Sequence, residues 1–96
     1  MAYENKFQND KTDRLFEAIL KLETKDECLR FFEDLCTIKE IQSLSQRFEV
    51  AYLLDRDKKY SEIEAATGAS TATISRINKC LVYGADGYRL ILDRME

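Results

Sequence analysis

The sequence predicts an all-α chain of about six helices. Three observations carry that expectation. The 96 residues hold no proline and only three glycines, whereas strand-rich chains need such residues at their many turns. Apolar residues recur at three- and four-residue spacing in successive windows, the period of helices with one buried stripe. Several windows open on a Ser or Thr followed three residues later by Glu, a pair that satisfies the free amides of a helix N-terminus.

In chain order, residues 1–10 are polar and unpatterned and read as a mobile arm. Residues 13–22 place Leu15, Phe16, Ile19, Leu20 and Leu22 largely on one stripe. Thr24-Lys25-Asp26-Glu27 caps a second helix with Cys28, Leu29, Phe32, Leu35 and Cys36 facing inward. Thr37-Ile38-Lys39-Glu40 starts a longer third helix, ending near Asp55, with Ile41, Leu44, Phe48, Ala51 and Tyr52 on one face. Ser61-Glu62-Ile63-Glu64 caps a fourth, with Tyr60 as its hydrophobic staple, and Gly68 ends it by accepting the positive φ of a C-cap. Ser70 or Thr71 caps a fifth, whose inward stripe is Ile74, Ile77 and Leu81 and which Gly84 ends. Asp86 caps a sixth, with Tyr88, Ile91, Leu92 and Met95 on one side. No long linker and no repeat interrupts the series, so residues 1–96 read as one domain.

Composition removes several functions. Without histidine, no Ser-His or Cys-His nucleophile pair and no imidazole metal ligand can form. Cys28, Cys36 and Cys80 are odd in number and lack metal-ligand spacing, so they read as reduced, mostly buried thiols. Carboxylates alternate with lysines and arginines, as on solvated helix faces. No catalytic residue, metal site or cofactor is expected. No apolar run suffices to span a membrane and no export signal opens the chain, so a cytoplasmic protein is expected. The first and last helices carry apolar stripes at chain ends, where a small monomer frays. A homodimer that covers them, built from residues 12–36 and 85–95, follows.

The informative stretch is residues 60–80, which reads as a helix-turn-helix: two short helices around Gly68, the second opening on small hydroxylated residues. Ala65 and Ala66 are small where the helices should cross closely, with Ile63, Ile74 and Ile77 packing the crossing. Thr71, Ala72, Thr73, Ser75 and Arg76 are left facing out. Small side chains there let a helix sit deep in a major groove, where hydroxyls and arginine reach base edges and phosphates. The net charge is −3, which argues against nucleic acid, but residues 56–80 hold five basic against three acidic side chains. Lys58, Lys59 and Lys79 are candidate phosphate contacts, with solvated lysines the plain alternative.

The segment over residues 37–80, with Gly68-Ala69-Ser70-Thr71-Ala72-Thr73-Ile74-Ser75-Arg76 as signature and Leu53-Leu54 at the expected distance from Gly68, resembles the Trp repressor superfamily. Across about residues 12–94 the chain is similar to its YerC/YecD TrpR-related members. The resemblance implies an intertwined all-α dimer with two DNA-reading heads, acting as a transcriptional regulator. The family's reading positions match at Thr71, Ala72, Thr73 and Ser75, while two basic positions on the preceding helix are here Ser61 and Glu64, which implies a different operator. The family's ligand pocket maps to Thr37, Arg47 and Arg76, but the glycine that follows the second arginine in the family is Ile77 here. That substitution implies loss of tryptophan binding, with Arg47 pairing an acidic neighbour and Arg76 serving DNA.

The reading is therefore a sequence-specific repressor that binds double-stranded DNA as a homodimer. Two alternatives stay open: a protein-interaction module that keeps the fold without DNA, and a repressor gated by a different small ligand.

Overall fold

The computed structural model describes residues 3–4 and 6–96. Among them six helices and no strand form: α1 (Asp10–Ile19), α2 (Lys25–Leu35), α3 (Ile38–Asp55), α4 (Tyr60–Thr67), α5 (Thr71–Tyr83) and α6 (Gly87–Arg94). The chain divides into two compact units, residues 1–37 and 38–96.

In the first unit, α1 starts three residues earlier than the apolar stripe indicates. The Asn9 side chain accepts the amides of Lys11 and Thr12 at 2.9 and 3.0 Å, and Thr12 Oγ1 accepts the Asn9 amide at 2.9 Å. Phe7 lies against Phe16, ring centroids 6.3 Å apart. Residues 7–10 are thus the helix cap and not part of a mobile arm; Met1, Ala2 and Asn5 of that arm lie outside the described residues. In α2 the Thr24 hydroxyl accepts the Glu27 amide at 3.1 Å as expected, while the Glu27 carboxylate reaches the amide of Glu23, one residue before the cap, at 2.8 Å. Neither α1 nor α2 contains a buried residue. Leu20 is 82% exposed and Leu29 61%, whereas Leu15, Ile19, Cys28 and Phe32 are half-buried, so the stripes expected to face inward are covered only in part.

The second unit holds the core. There α3 packs against α4, α5 and α6, and α5 against α4 and α6. Val50, Ala51, Ile63, Ala69, Ile74 and Ile77 form one buried cluster, flanked by Leu53, Leu54, Tyr60 and Tyr88. The long α3 carries two apolar faces. Val50, Leu53 and Leu54 pack on α4–α6 together with Ala51 of the stripe chosen from sequence, whose Phe48 lies against Tyr88 and whose Leu44 is exposed. The small residues at the α4–α5 crossing also differ from expectation: Ala65 and Ala66 are exposed, and Ala69 in the turn, with Ala51 on α3, is buried instead.

Caps shift in the same unit. Lys59 is the N-cap of α4, and its amide donates to Glu62 Oε1 at 2.9 Å. The start signal therefore sits two residues before Ser61, and Tyr60 is the first helical residue, packed on the core rather than stapled ahead of it. Asp86 does precede α6, but in a left-handed conformation (φ 65°) with no side-chain cap bond. Gly84 ends α5 where the sequence places it: its amide bonds the Cys80 carbonyl at 2.8 Å, and a Cβ at this position would overlap that carbonyl. The last helix is less free than its stripe suggests. Leu92 is buried and Tyr88 half-buried, while Leu90, Ile91 and Met95 stay exposed. Arg89 bridges Asp55 on α3 at 2.7 Å and Asp93 at 2.9 Å. None of the three cysteines is buried: Cys28 and Cys36 are half-buried and Cys80 exposed.

Candidate nucleic-acid interface

The turn between α4 and α5 is built by three local devices. Gly68 takes φ 74°, a left-handed conformation that costs a side-chain-bearing residue about 1 kcal/mol or more, and its amide bonds the Glu64 carbonyl at 2.9 Å. The Thr67 hydroxyl donates to the Ile63 carbonyl at 2.7 Å and accepts the Ala69 amide at 3.2 Å. Ser70, rather than Thr71, is the N-cap of α5; its Oγ accepts the Thr73 amide at 3.2 Å. The turn is also tied to α3, because Gln46 Nε2 donates to the Thr67 carbonyl at 3.1 Å. Sequence reasoning missed Gln46. The signal was available, since Gln46 lies one helical turn before Val50 on the packed face of α3.

With Ile74 and Ile77 buried below, Thr71, Ala72, Ser75 and Arg76 come out exposed on α5, as their spacing predicts. Thr73 departs from them. It is half-buried, and its Oγ1 pairs with Ser70 Oγ at 3.1 Å. Lys58, Lys59 and Lys79 are all exposed: the first two just before α4, the third on α5. Ser61 is exposed in the first turn of α4. Glu64, which the shifted cap leaves unused at the start of α4, instead accepts a hydrogen bond from Thr71 Oγ1 at 2.7 Å.

A cavity of about 320 Å³ adjoins this surface, lined by Arg47, Thr73, Arg76, Ile77, Cys80 and Tyr88. It unites two of the three pocket residues singled out from sequence. Thr37 is not in the lining; it immediately precedes α3. Among the described residues neither Arg47 nor Arg76 forms an ion pair, so the acidic partner expected for Arg47 is not found. Ile77 is both a core residue and a wall of the cavity. Tyr88 was missed as a lining residue; its ring lies 6.4 Å from that of Phe48. Burial pushes its phenol above the ordinary tyrosine range, with Cys80 adding to the shift and Arg47 opposing it. Among the described residues no cluster of His, Cys, Asp or Glu could hold a metal ion, and no helix is long and apolar enough to cross a membrane.

Comparison with known proteins agrees with this architecture. The family model described as Trp repressor protein matches residues 10–96. The chain is 54% identical over 92 residues to the uncharacterised protein YerC of Bacillus subtilis (strain 168), spanning 96% of this chain and 88% of the relative. The crystal structure of a TrpR-like protein from Eubacterium eligens ATCC 27750 superposes with a TM-score of 0.90 at 53% identity, over 96% of this chain and 95% of that one. A crystal structure from Staphylococcus aureus matches with a TM-score of 0.87, also at 53% identity, over 92% and 88% of the two chains. With a family model spanning six helices and a relative identical at more than half of the aligned positions, the chain belongs to the Trp repressor family.

Proposed function

We propose that this chain is a sequence-specific DNA-binding transcription regulator, a cytoplasmic repressor that acts as a homodimer and catalyses nothing. The observation that carries the reading is the exposed run Thr71, Ala72, Ser75 and Arg76 on α5, held out by buried Ile74 and Ile77 behind the left-handed turn at Gly68. A helix with small residues on its outer face fits a major groove about 12 Å wide. Hydroxyls and the unpaired Arg76 then meet base edges, and Lys58, Lys59 and Lys79 meet phosphates.

The dimer rests on uncovered apolar surface. Leu20, Leu29, Leu35, Ile38, Ile91 and Met95 are all exposed within the chain, more than a monomer of this size leaves in water without use. Two reading heads then enter successive major grooves about 34 Å apart and select a near-palindrome. Repression is steric occupation of that site.

Selection of bound sequences from a random DNA pool tests the reading. A palindromic consensus is expected, with affinity falling steeply between about 50 and 200 mM salt. Failure to select any sequence at any salt would leave the fold as a protein-interaction module, for which the acidic net charge is the main support. A second reading, gating by a small ligand, is favoured by the cavity with its two unpaired arginines. Tryptophan is a poor occupant where Ile77 and Tyr88 both wall the space. Calorimetry with tryptophan and other aromatic metabolites checks this: heat or a raised melting temperature supports gating, and the absence of both removes it for those compounds.

A further inference from the structure

The pair Glu64–Thr71 joins α4 to the first residue of α5 on the face assigned above to DNA. Thr71 Oγ1 donates its single proton to Glu64 Oε1 over 2.7 Å. A hydroxyl has one proton and two lone pairs, and a carboxylate has lone pairs alone. Once the proton is committed, Thr71 can only accept, and Glu64 can only accept. Both side chains are exposed, so the two form a small acceptor-only patch where α5 begins.

The chemistry of base edges makes this patch selective. In the major groove adenine and cytosine present an exocyclic amino group as donor, whereas guanine and thymine present carbonyl oxygens at the equivalent place. We propose that the Glu64–Thr71 pair is a specificity determinant that demands an amino-bearing base, adenine or cytosine, at one position of each half-site and rejects guanine or thymine there. The inference rests on the DNA-reading function proposed above. An acceptor-only patch faces a keto base with oxygen against oxygen, and the carboxylate charge adds repulsion. The same charge opposes phosphate, so the pair lowers affinity for arbitrary DNA while raising discrimination. Glutamate suits this role because it is held by an already placed hydroxyl and does not have to be ordered when DNA arrives. Its release from helix capping makes the arrangement available: Glu62, not Glu64, takes the Lys59 amide.

Random-pool selection with the wild type, E64Q, T71V and T71S tests the pair, with thermal melts confirming that each exposed-site variant remains folded. The wild type should show one position per half-site restricted to adenine or cytosine. E64Q supplies an amide donor and T71V removes the hydroxyl acceptor, so each should weaken discrimination at that same position by about ten-fold; T71S keeps the hydroxyl and should retain it. E64Q should also bind random DNA more tightly than the wild type. An E64Q consensus identical to the wild type's, or E64Q and T71V altering different positions, would overturn the inference while leaving DNA reading intact. A wild type that selects no sequence overturns both.

Discussion

Ile74 anchors α5, the helix proposed to read DNA, and Ile74→Ala measures how firmly. The residue is 0% exposed and lies in one cluster with Val50, Ala51, Ile63, Ala69 and Ile77. The substitution removes three buried carbons, which at about 0.8 kcal/mol per buried methylene costs about 2.4 kcal/mol. If the space does not collapse, the cavity adds about 1–2 kcal/mol. The neighbours on α3 and α5 are anchored in long helices, so little collapse is expected and the loss should be about 3–4 kcal/mol. A small domain has only about 5–15 kcal/mol in all. Urea unfolding followed by helical circular dichroism is the assay, with a slope of about 1–2 kcal/mol per molar urea and a midpoint expected to fall by about 2 M. Protein concentration must be held fixed, because the stability of the proposed dimer would depend on it. A loss below about 1 kcal/mol with an unchanged slope would refute the claim that buried Ile74 fixes α5, since even Ile→Val at a filled site costs about that much.

Other perturbations follow from particular residues. Gly68→Ala forces a side chain into φ 74° and should cost about 1 kcal/mol, read as a fall of about 5 °C in melting temperature. The hydrogen bond from Arg89 holds the Asp55 carboxyl below its ordinary value of 3.8, with the Arg89 and Arg56 charges helping and desolvation opposing. Its stabilising effect is therefore present above pH 3.8 and lost as pH falls through the lower folded-state value. D55N should remove that part of the acid-side pH dependence, checked by unfolding the wild type and variant across pH 2–5 (roughly the carboxylate range). Arg76→Ala should lower affinity for the selected operator by about 1–3 kcal/mol if the guanidinium meets a base; an unchanged gel-shift titration would remove Arg76 from the interface.

The exposed face of α5, the proposed reading surface, was legible because its determinants are local. Gly68 is the residue most tolerant of a left-handed turn, and the three-residue spacing from Ile74 to Ile77 turns Thr71, Ala72, Ser75 and Arg76 outward whatever else the chain does. Caps were less legible where two patterns compete. Glu62 and Glu64 both lie within reach of an amide at the start of α4, and only the backbone shows that Glu62 takes it. The cap of α1 was hidden because threonine, not glutamate, closes the pair with Asn9. Burial on α3 was ambiguous for another reason. An 18-residue helix with apolar residues on two faces can turn either one toward its neighbours. Only the partners decide between Val50 and Leu44. The Gln46 bond to the Thr67 carbonyl and the Glu64–Thr71 pair each join residues from different helices, and periodicity within one helix carries no information about them.

The partly covered helices α1 and α2 explain why a stripe can be read correctly and yet mislead about burial. Apolar spacing in residues 13–36 states that α1 and α2 each have a face to cover, but not with what. That face is covered only in part: Leu15, Ile19, Cys28 and Phe32 are half-buried, and no residue of either helix is fully buried. The second unit, in contrast, closes its own core around α3 and α5 and holds every candidate DNA contact: Lys58, Lys59, Thr71, Ala72, Thr73, Ser75, Arg76 and Lys79. On the reading proposed above, the candidate DNA contacts lie in the second unit, whereas the exposed apolar side chains offered for assembly come from both, Leu20, Leu29 and Leu35 from the first and Ile38, Ile91 and Met95 from the second. A substitution such as Leu20→Asp, at a side chain 82% exposed, leaves the core around Ile74 untouched. Its effect on operator affinity would therefore come through the spacing of two heads and not through the contacts of one. On the proposed reading, a change of operator would need only α4 and α5 to alter, leaving the apolar stripes of α1 and α2 as they are.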